Sequence, residues 1–405
     1  MCTNFSIKTT SGSPIIGRSM ELGPNLNSKL YFRPKGFEFD QRVPASFFET
    51  LSNKSNGEFV VLSGMESIQN IYSWTGEYGF MAMNAFGEMI AGDGMNTEGL
   101  VTGCMVLTAS VYQEIPKDEN GNYDGENAVF YPNLSNWILS NCADCNDVIN
   151  KLDVSELVLS ENSFLKNTAP KEGRIRVINP FEKVPNAMKF HFPVHDAKGN
   201  NIVLEYTDGK LTITDLSPVN VLTNDPLISW QQTNVINNYV GISPCNTQND
   251  KGYSDASIVK NYFDCHTFAQ GTGFVGLPGS STPVDRFVRA AMMTNFAFPQ
   301  KSEEEAINLG FHILNTVDIP LGTSRDYGNG NVHDFTQWVT MSDLKNKIYH
   351  VRMYGSPQVF KVEMDKLNLD DLSEVVYEFP VMNNQAIDVS SNITLKELSS
   401  KTVEN

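Results

Sequence analysis

The opening stretch, Met1-Cys2-Thr3-Asn4-Phe5-Ser6 through Gly17-Arg18-Ser19-Met20-Glu21, constrains this chain more than any other. Cys2 follows the initiator methionine and is small enough for that methionine to be removed routinely, leaving a thiol and an α-amine on one residue. An α-amine has a reference pKa of about 8 and a thiol of about 8.5. The amine can therefore serve as a neutral base while the thiol is the readily activated nucleophile. Residues 3–9 alternate polar and apolar, with Phe5 and Ile7 on one face, which predicts a half-buried strand. Ser11-Gly12-Ser13-Pro14 is turn chemistry, and Ile15-Ile16-Gly17-Arg18 predicts the returning strand. Such a hairpin returns Arg18 and Glu21, a cation and a carboxylate, to the neighbourhood of Cys2.

Composition narrows the class. A length of 405 residues makes two domains the default, although large α/β and α+β enzymes can be single units, and 40% apolar content with 24 Phe supplies a sizeable core. A net charge of −17 argues against nucleic acid or an anionic membrane as partner. No apolar run reaches about 18 residues, so no membrane span is expected. Without a charged-then-apolar leader, the sequence as it stands reads as cytoplasmic; a leader removed upstream would make it periplasmic or secreted. Six cysteines (2, 104, 142, 145, 245 and 265) are not a disulfide framework. Cys142-Ala143-Asp144-Cys145 lacks a second CxxC or paired histidines at zinc-like spacing and falls between two predicted helices. His191 and His195 lie in a strand-like run, where that gap holds them about 13 Å apart, too far for one metal. No metal site is expected.

Along the chain, residues 30–110 are strand-rich: Glu58–Ser63, Gln69–Trp74 and Tyr78–Met83, then Asp93–Gly99 as a turn before a buried strand at Leu100–Leu107. The polar loop 113–127 resembles a calcium loop in Asp118, Asn120, Asn122 and Asp124. Tyr123 takes the glycine position and Val129 that of the bidentate carboxylate, so a surface insertion is the better reading. Helical signals follow at 133–152, and strands at 172–216 are separated by the 197–200 and 207–209 turns. Val221–Pro226 ends a strand in a polar turn, and residues 228–272 are a longer, mixed and glycine-punctuated excursion. Thr282-Pro283-Val284-Asp285 predicts a capping box opening one helix, and Ser302-Glu303-Glu304-Glu305 opens another. Strands return at Gln337–Met341 and Lys347–Tyr354. The pattern predicts one α+β domain over residues 1–385 and a polar tail at 386–405.

There is no Gly-x-Ser-x-Gly elbow, no P-loop and no Gly-x-Gly-x-x-Gly after a strand, which leaves serine hydrolases and nucleotide enzymes unsupported. A thiolate attacking an amide carbonyl needs an oxyanion hole, and Asn224, at a strand end before a proline turn, is a suitable donor. In this order, Met1-Cys2-Thr3, Gly17–Glu21, Asp93–Leu100, Val221–Pro226 and Gly276–Gly279 with Asp285–Arg289 resemble the choloylglycine hydrolase family of N-terminal-nucleophile amidases, which includes conjugated bile acid hydrolases and penicillin V acylases.

The resemblance implies a four-layer αββα sandwich, in which Cys2 is nucleophile and, through its own amine, proton acceptor. It places Arg18 beside the thiolate, lowering its pKa, and Glu21 where many members have Asp bonded to the α-amine. It makes Asn224 the oxyanion-hole side chain and Arg286 the second active-site arginine, with Arg289 a structural neighbour. An ungapped match puts Val106 at the backbone N–H that completes the oxyanion hole, a position where Asn or Tyr is common. The implied reaction is hydrolysis of a linear, non-peptide C–N amide with a bulky apolar acyl group, through an acyl-thioester and without cofactor. Met20, Leu22, Phe80 and Met81 are candidate acyl-pocket residues, and a homotetramer is implied. The alternative class is a non-catalytic binding protein of the same fold, which retention of Cys2, Arg18, Asn224 and Arg286 together argues against. A papain-type thiol hydrolase would need a Cys-His pair, and Cys265 and His266 are adjacent in sequence and do not form one.

Overall fold

The computed structural model describes residues 1–41, 68–85, 88–160, 163, 174–181, 188–217, 219–244, 273–325, 327, 333–367 and 375–380. The expected strand at Glu58–Ser63, the cysteines at 245 and 265, the excursion beyond residue 244 and the tail lie outside these residues.

The predicted hairpin forms as β1 (Cys2–Lys8) and β2 (Pro14–Leu22), in an antiparallel register that sets Cys2 opposite Met20 and Phe5 opposite Gly17. Gly17 is required by a close approach. A Cβ there would sit 2.4 Å from the Phe5 ring. The hairpin is central to a six-stranded sheet. Val221–Leu222 pairs with β1, while Phe335–Asp343 pairs with β2 and is followed outward by Ile348–Met353 and Val359–Glu363.

A ten-stranded sheet lies against it. Its middle strands are β3 (Phe80–Ala85), β4 (Glu88–Asn96) and Val101–Gly103, next to β5 (Phe190–His195), Asn201–Thr207 and Lys210–Asp215. The short strand Met105–Val106 pairs with β5 off this path.

Strand alternation decides what each face carries. On β3, Phe80 and Ala82 join Trp137, Ile138 and Leu139 of helix α1 (Leu134–Asn141) in one apolar cluster. Met81 and Met83 join Trp338 in the other. On β1, Ile7 faces the second helical layer: a Cβ on Gly310 would meet it at 3.9 Å. Asn4 faces the opposite sheet and contacts His195 Nε2 through Oδ1 at 2.7 Å. The layers are therefore helix, sheet, sheet, helix. The outer helices are α1 and α2 (Cys145–Lys151) on one side, and α4 (Pro283–Phe296) and α5 (Glu303–Asn315) on the other. Helix α3 (Ile228–Asn238) follows the Val221–Leu222 strand. The αββα expectation holds.

Local chemistry explains the helix ends, with one correction. Ser302 and Glu305 make both halves of a capping box. Thr282 caps α4 by accepting from the Asp285 N–H, with proline in the first turn, but the Asp285 carboxylate accepts from Ser280 N–H instead of closing a reciprocal box. Cys142 ends α1 and Cys145 begins α2, as expected, and both thiols are free and buried. Two strand readings change. Gln69–Trp74 is interrupted at Asn70, which has a φ of 50°, leaving short pieces at Ile68–Gln69 and Trp74–Thr75. The Asp93–Gly99 segment is strand up to Asn96, whose side-chain oxygen accepts from the Glu98 and Leu100 N–H groups and makes the turn.

Candidate active site

The hairpin brings its chemistry together as the sequence implied. Arg18 Nη2 lies 3.4 Å from Cys2 Sγ and donates to the Cys104 carbonyl at 2.7 Å. Cys2 is 2% exposed and Arg18 1%. Burial disfavours the guanidinium charge, yet the neighbouring Cys2, Asp93, Cys104 and Glu21 together raise its pKa above the ordinary arginine value. Met20, opposite Cys2 across the ladder, places its sulfur 3.7 Å from Sγ.

Arg286 reaches in from the first turn of α4 and holds the start of β1. It donates to the Cys2 carbonyl and the Thr3 hydroxyl at 2.6 Å each, to Asn224 Oδ1 at 3.0 Å and to the Ser281 carbonyl at 3.0 Å. Burial lowers its pKa, opposed by Glu21 and Cys2. Glu21 Oε2 lies 3.7 Å from Arg286 Nη1, and Oε1 accepts from Thr336 at 3.0 Å. Burial pushes the Glu21 pKa up, against the pull of Arg286, the amino terminus, Ser19 and Thr336. Arg289, one turn on, donates instead to the carbonyls of Pro278, Ser280 and Thr316, which is the structural placement expected for it.

Asn224 has a fixed orientation. Its Oδ1 accepts from the Cys2 N–H at 2.6 Å and from Arg286, so its Nδ2 is the end that donates to the Val106 carbonyl at 2.8 Å. With Met1 in place, the Cys2 nitrogen is thus bonded by Asn224 and not by the Glu21 carboxylate. The Glu21 main chain meets Met1 instead: its N–H donates to the Met1 carbonyl at 2.8 Å and its carbonyl accepts from the Met1 amine. Val106 stands opposite Phe190, and the next pair is hydrogen-bonded, Leu107 N–H to the Lys189 carbonyl at 2.9 Å. In an antiparallel ladder the bonded pairs alternate, so the Val106 N–H points with its carbonyl toward Asn224.

Of the four candidate pocket residues, Met20, Met81 and the half-buried Leu22 pack in the cluster that contains Cys2. Phe80 does not. Its side chain is on the other face of the ten-stranded sheet, stacked with Phe39 at 6.1 Å under α1, because adjacent strand residues point to opposite faces. Two further groups escaped the sequence reading. Asp93 is 2% exposed, its Oδ2 accepting from Thr340 at 2.9 Å and Tyr349 at 2.5 Å across the gap between the sheets. Burial raises its pKa, while Arg18, Tyr349 and Thr340 oppose that rise. In the sequence Asp93 reads as the start of a turn and falls within a family motif, with no role given to its carboxylate. The Thr336 hydroxyl on Glu21 carried no signal at all. Among the described residues, no group of three or more His, Cys, Asp and Glu side chains is placed to hold a metal ion.

The site therefore buries Cys2 with a guanidinium 3.4 Å from its sulfur and an amide oxygen 2.6 Å from its nitrogen. Comparison with known proteins agrees. The family described as linear amide C–N hydrolases, choloylglycine hydrolase family, matches residues 2–377. The bile salt hydrolase/transferase of Clostridium perfringens is 29% identical over 381 residues, covering 94% of this chain and 97% of the relative. The penicillin V acylase of Pectobacterium atrosepticum is 23% identical over 372 residues, covering 88% and 78%. A crystal structure of a variant of the conjugated bile acid hydrolase from Clostridium perfringens superposes with a TM-score of 0.67 at 25% identity, covering 96% of this chain and 99% of that one. A family match over residues 2–377, nearly the whole of the described chain, means that the chain belongs to the choloylglycine hydrolase family of linear amide C–N hydrolases.

Proposed function

We propose that the chain hydrolyses the amide of a conjugated bile acid, penicillin V or a related N-acyl compound, with Cys2 as nucleophile. The observation that carries this reading is the Cys2 environment: a buried sulfur 3.4 Å from Arg18 and a nitrogen 2.6 Å from Asn224 Oδ1. A cation at that distance stabilises negative charge on sulfur. Removal of Met1 turns the Cys2 nitrogen into an α-amine, able to take the thiol proton and later deliver it to the leaving amine. Asn224 Nδ2, which has a second hydrogen beyond the one given to Val106, and the Val106 N–H would meet the carbonyl oxygen as charge develops. Water then cleaves the thioester and frees the acid. Arg286 and Glu21 hold the strand end, and Met20, Met81 and Leu22 offer apolar contact to the acyl group. No helix among the described residues is long and apolar enough to cross a membrane.

The test is a substrate panel of taurine- and glycine-conjugated bile acids, penicillin V and N-acyl homoserine lactones. It is run on chain shown by intact mass to lack Met1 and on chain carrying an uncleaved N-terminal tag. Turnover of at least one substrate by the first and none by the second is expected. Equal turnover by the tagged chain rules out the amine as base.

A further inference from the structure

Asn224 and Val106 lie 118 residues apart in sequence, yet their flanks are tied together on both sides. Beyond Val106, the Thr108 N–H donates to both Asp225 carboxylate oxygens, at 3.0 and 3.1 Å, and the Thr108 hydroxyl donates to Oδ1. Before Asn224, the Thr223 carbonyl is 2.9 Å from His191 Nε2. A carbonyl can only accept, so Nε2 carries the hydrogen. His191 also stands opposite Met105 in the β5 ladder, so it touches the residue before each member of the pair: Met105 through the main chain and Thr223 through the ring.

The ring is held from behind. Nδ1 faces Glu205 Oε1 at 3.2 Å, and the same oxygen accepts the Ile228 N–H at 3.0 Å where α3 begins. His191 is fully buried and Glu205 is 5% exposed. A buried polar pair is weak evidence for stability, because apolar side chains of similar volume commonly serve as well. Its hydrogen bonds are directional, which is what a site needing two donors at a set separation requires.

We propose that His191, backed by Glu205, and Asp225 are positioning residues that clamp the Asn224 amide and the Val106 N–H at the separation of an oxyanion hole. This rests on the oxyanion reading of Asn224 and Val106 above. The clamp acts on the transition state only. Substrate affinity and the intrinsic reactivity of the thiol do not depend on it.

The experiment measures kcat and KM with a glycine-conjugated bile acid or penicillin V, together with the rate of Cys2 alkylation by iodoacetamide, whose attack on a tetrahedral carbon develops no oxyanion. His191→Leu removes both ring bonds and is expected to lower kcat about tenfold to thirtyfold, with KM and alkylation within about twofold of wild type. His191→Gln, whose amide nitrogen reaches roughly the Nε2 position, restores kcat to within about threefold. Asp225→Ala lowers kcat about threefold to tenfold. Asn224→Ala is the control, with a fall in kcat of about 10²-fold or more. If the control loses nothing, the oxyanion reading itself fails. If the control falls while folded His191→Leu and Asp225→Ala keep kcat within about twofold, the clamp is overturned and the oxyanion reading stands. Alkylation falling in step with kcat also overturns the clamp, since it signals general disruption of the site. Should His191→Leu fail to fold with Glu205 left unpaired, the double His191→Leu/Glu205→Leu variant replaces it; if that fails too, Asp225→Ala, at a half-buried position, decides alone.

Discussion

The two faces of the ten-stranded sheet teach different lessons from one alternating strand. Under α1 and α2 the packing is apolar and aromatic: Trp137, Ile138 and Leu139 lie on Phe80, and Tyr112 stacks on Tyr131 at 4.5 Å. Between the sheets the chain buries Arg18, Asp93 and His195, with Glu21 and Arg286 at the end of β1, all at 2% exposure or less. The first face is a conventional helix-on-sheet core, where any well-fitting apolar volume serves. The second carries charges that cost stability unless each finds a partner. What that cost obtains is a buried thiol among oriented polar groups, the arrangement the proposed chemistry requires.

Substitutions on the two faces should therefore separate stability from chemistry. The largest effect belongs to the polar face: Cys2→Ala abolishes amide hydrolysis and leaves the thermal midpoint nearly unchanged, as calorimetry beside a turnover assay would show. A folded alanine variant with wild-type turnover would break the contrast at once. On the apolar face, Trp137→Ala should cost about 3–5 kcal/mol of unfolding free energy in urea, while kcat per folded molecule stays at the wild-type value.

His195 sharpens the comparison through pH. Burial, opposed by its Asn201 bond and by Asp196, lowers its pKa from the ordinary 6.5 to about 4. Between those values the unfolded chain binds a proton that the native state refuses. Stability is therefore full above the ordinary histidine range and is lost as pH falls toward about 4, by up to about 3 kcal/mol. His195→Gln should flatten that part of the stability-versus-pH curve; an unchanged slope assigns the acid sensitivity elsewhere. The smallest effect is expected at Arg289→Ala. Loss of its bonds to the Pro278, Ser280 and Thr316 carbonyls should lower stability by about 2 kcal/mol and leave turnover within about twofold of wild type.

What could be read from the sequence divides along the same line. The hairpin was legible because alternation and the Ser11–Pro14 turn are local, and the Ser302–Glu305 cap because its partners are three residues apart. Arg18 beside Cys2 followed from the hairpin alone. Arg286 and Val106 were placed by resemblance, and Asn224, a candidate donor from its place before a proline turn, was fixed by it, since their contacts to β1 and to each other span 62 to 284 residues, beyond any local pattern. Phe80 was assigned to the wrong face because both faces of the sheet take apolar residues, Phe80 on one and Met81 on the other, so apolar character alone carries no mark of the side. Asp93 and His191 were passed over because a polar residue in a strand shows its partner only once the opposite strand is in place.

The position of β1 also has a consequence for the order in which the molecule can be built. By residue 215 the ribosome has delivered every described strand of the ten-stranded sheet except the edge strand Val375–Tyr377. The six-stranded sheet stays open far longer. Its first hairpin pairs early, but the neighbour of β2 is Phe335–Asp343, and the arginine that grips the Cys2 carbonyl arrives at position 286. Cys2 is thus enclosed by residues made long after it, Arg286 coming 284 positions later, and that separation makes the closure entropically costly. Until those residues are made, the Cys2 strand lacks both its arginine and the second neighbour of its hairpin, so the proposed chemistry must wait for them.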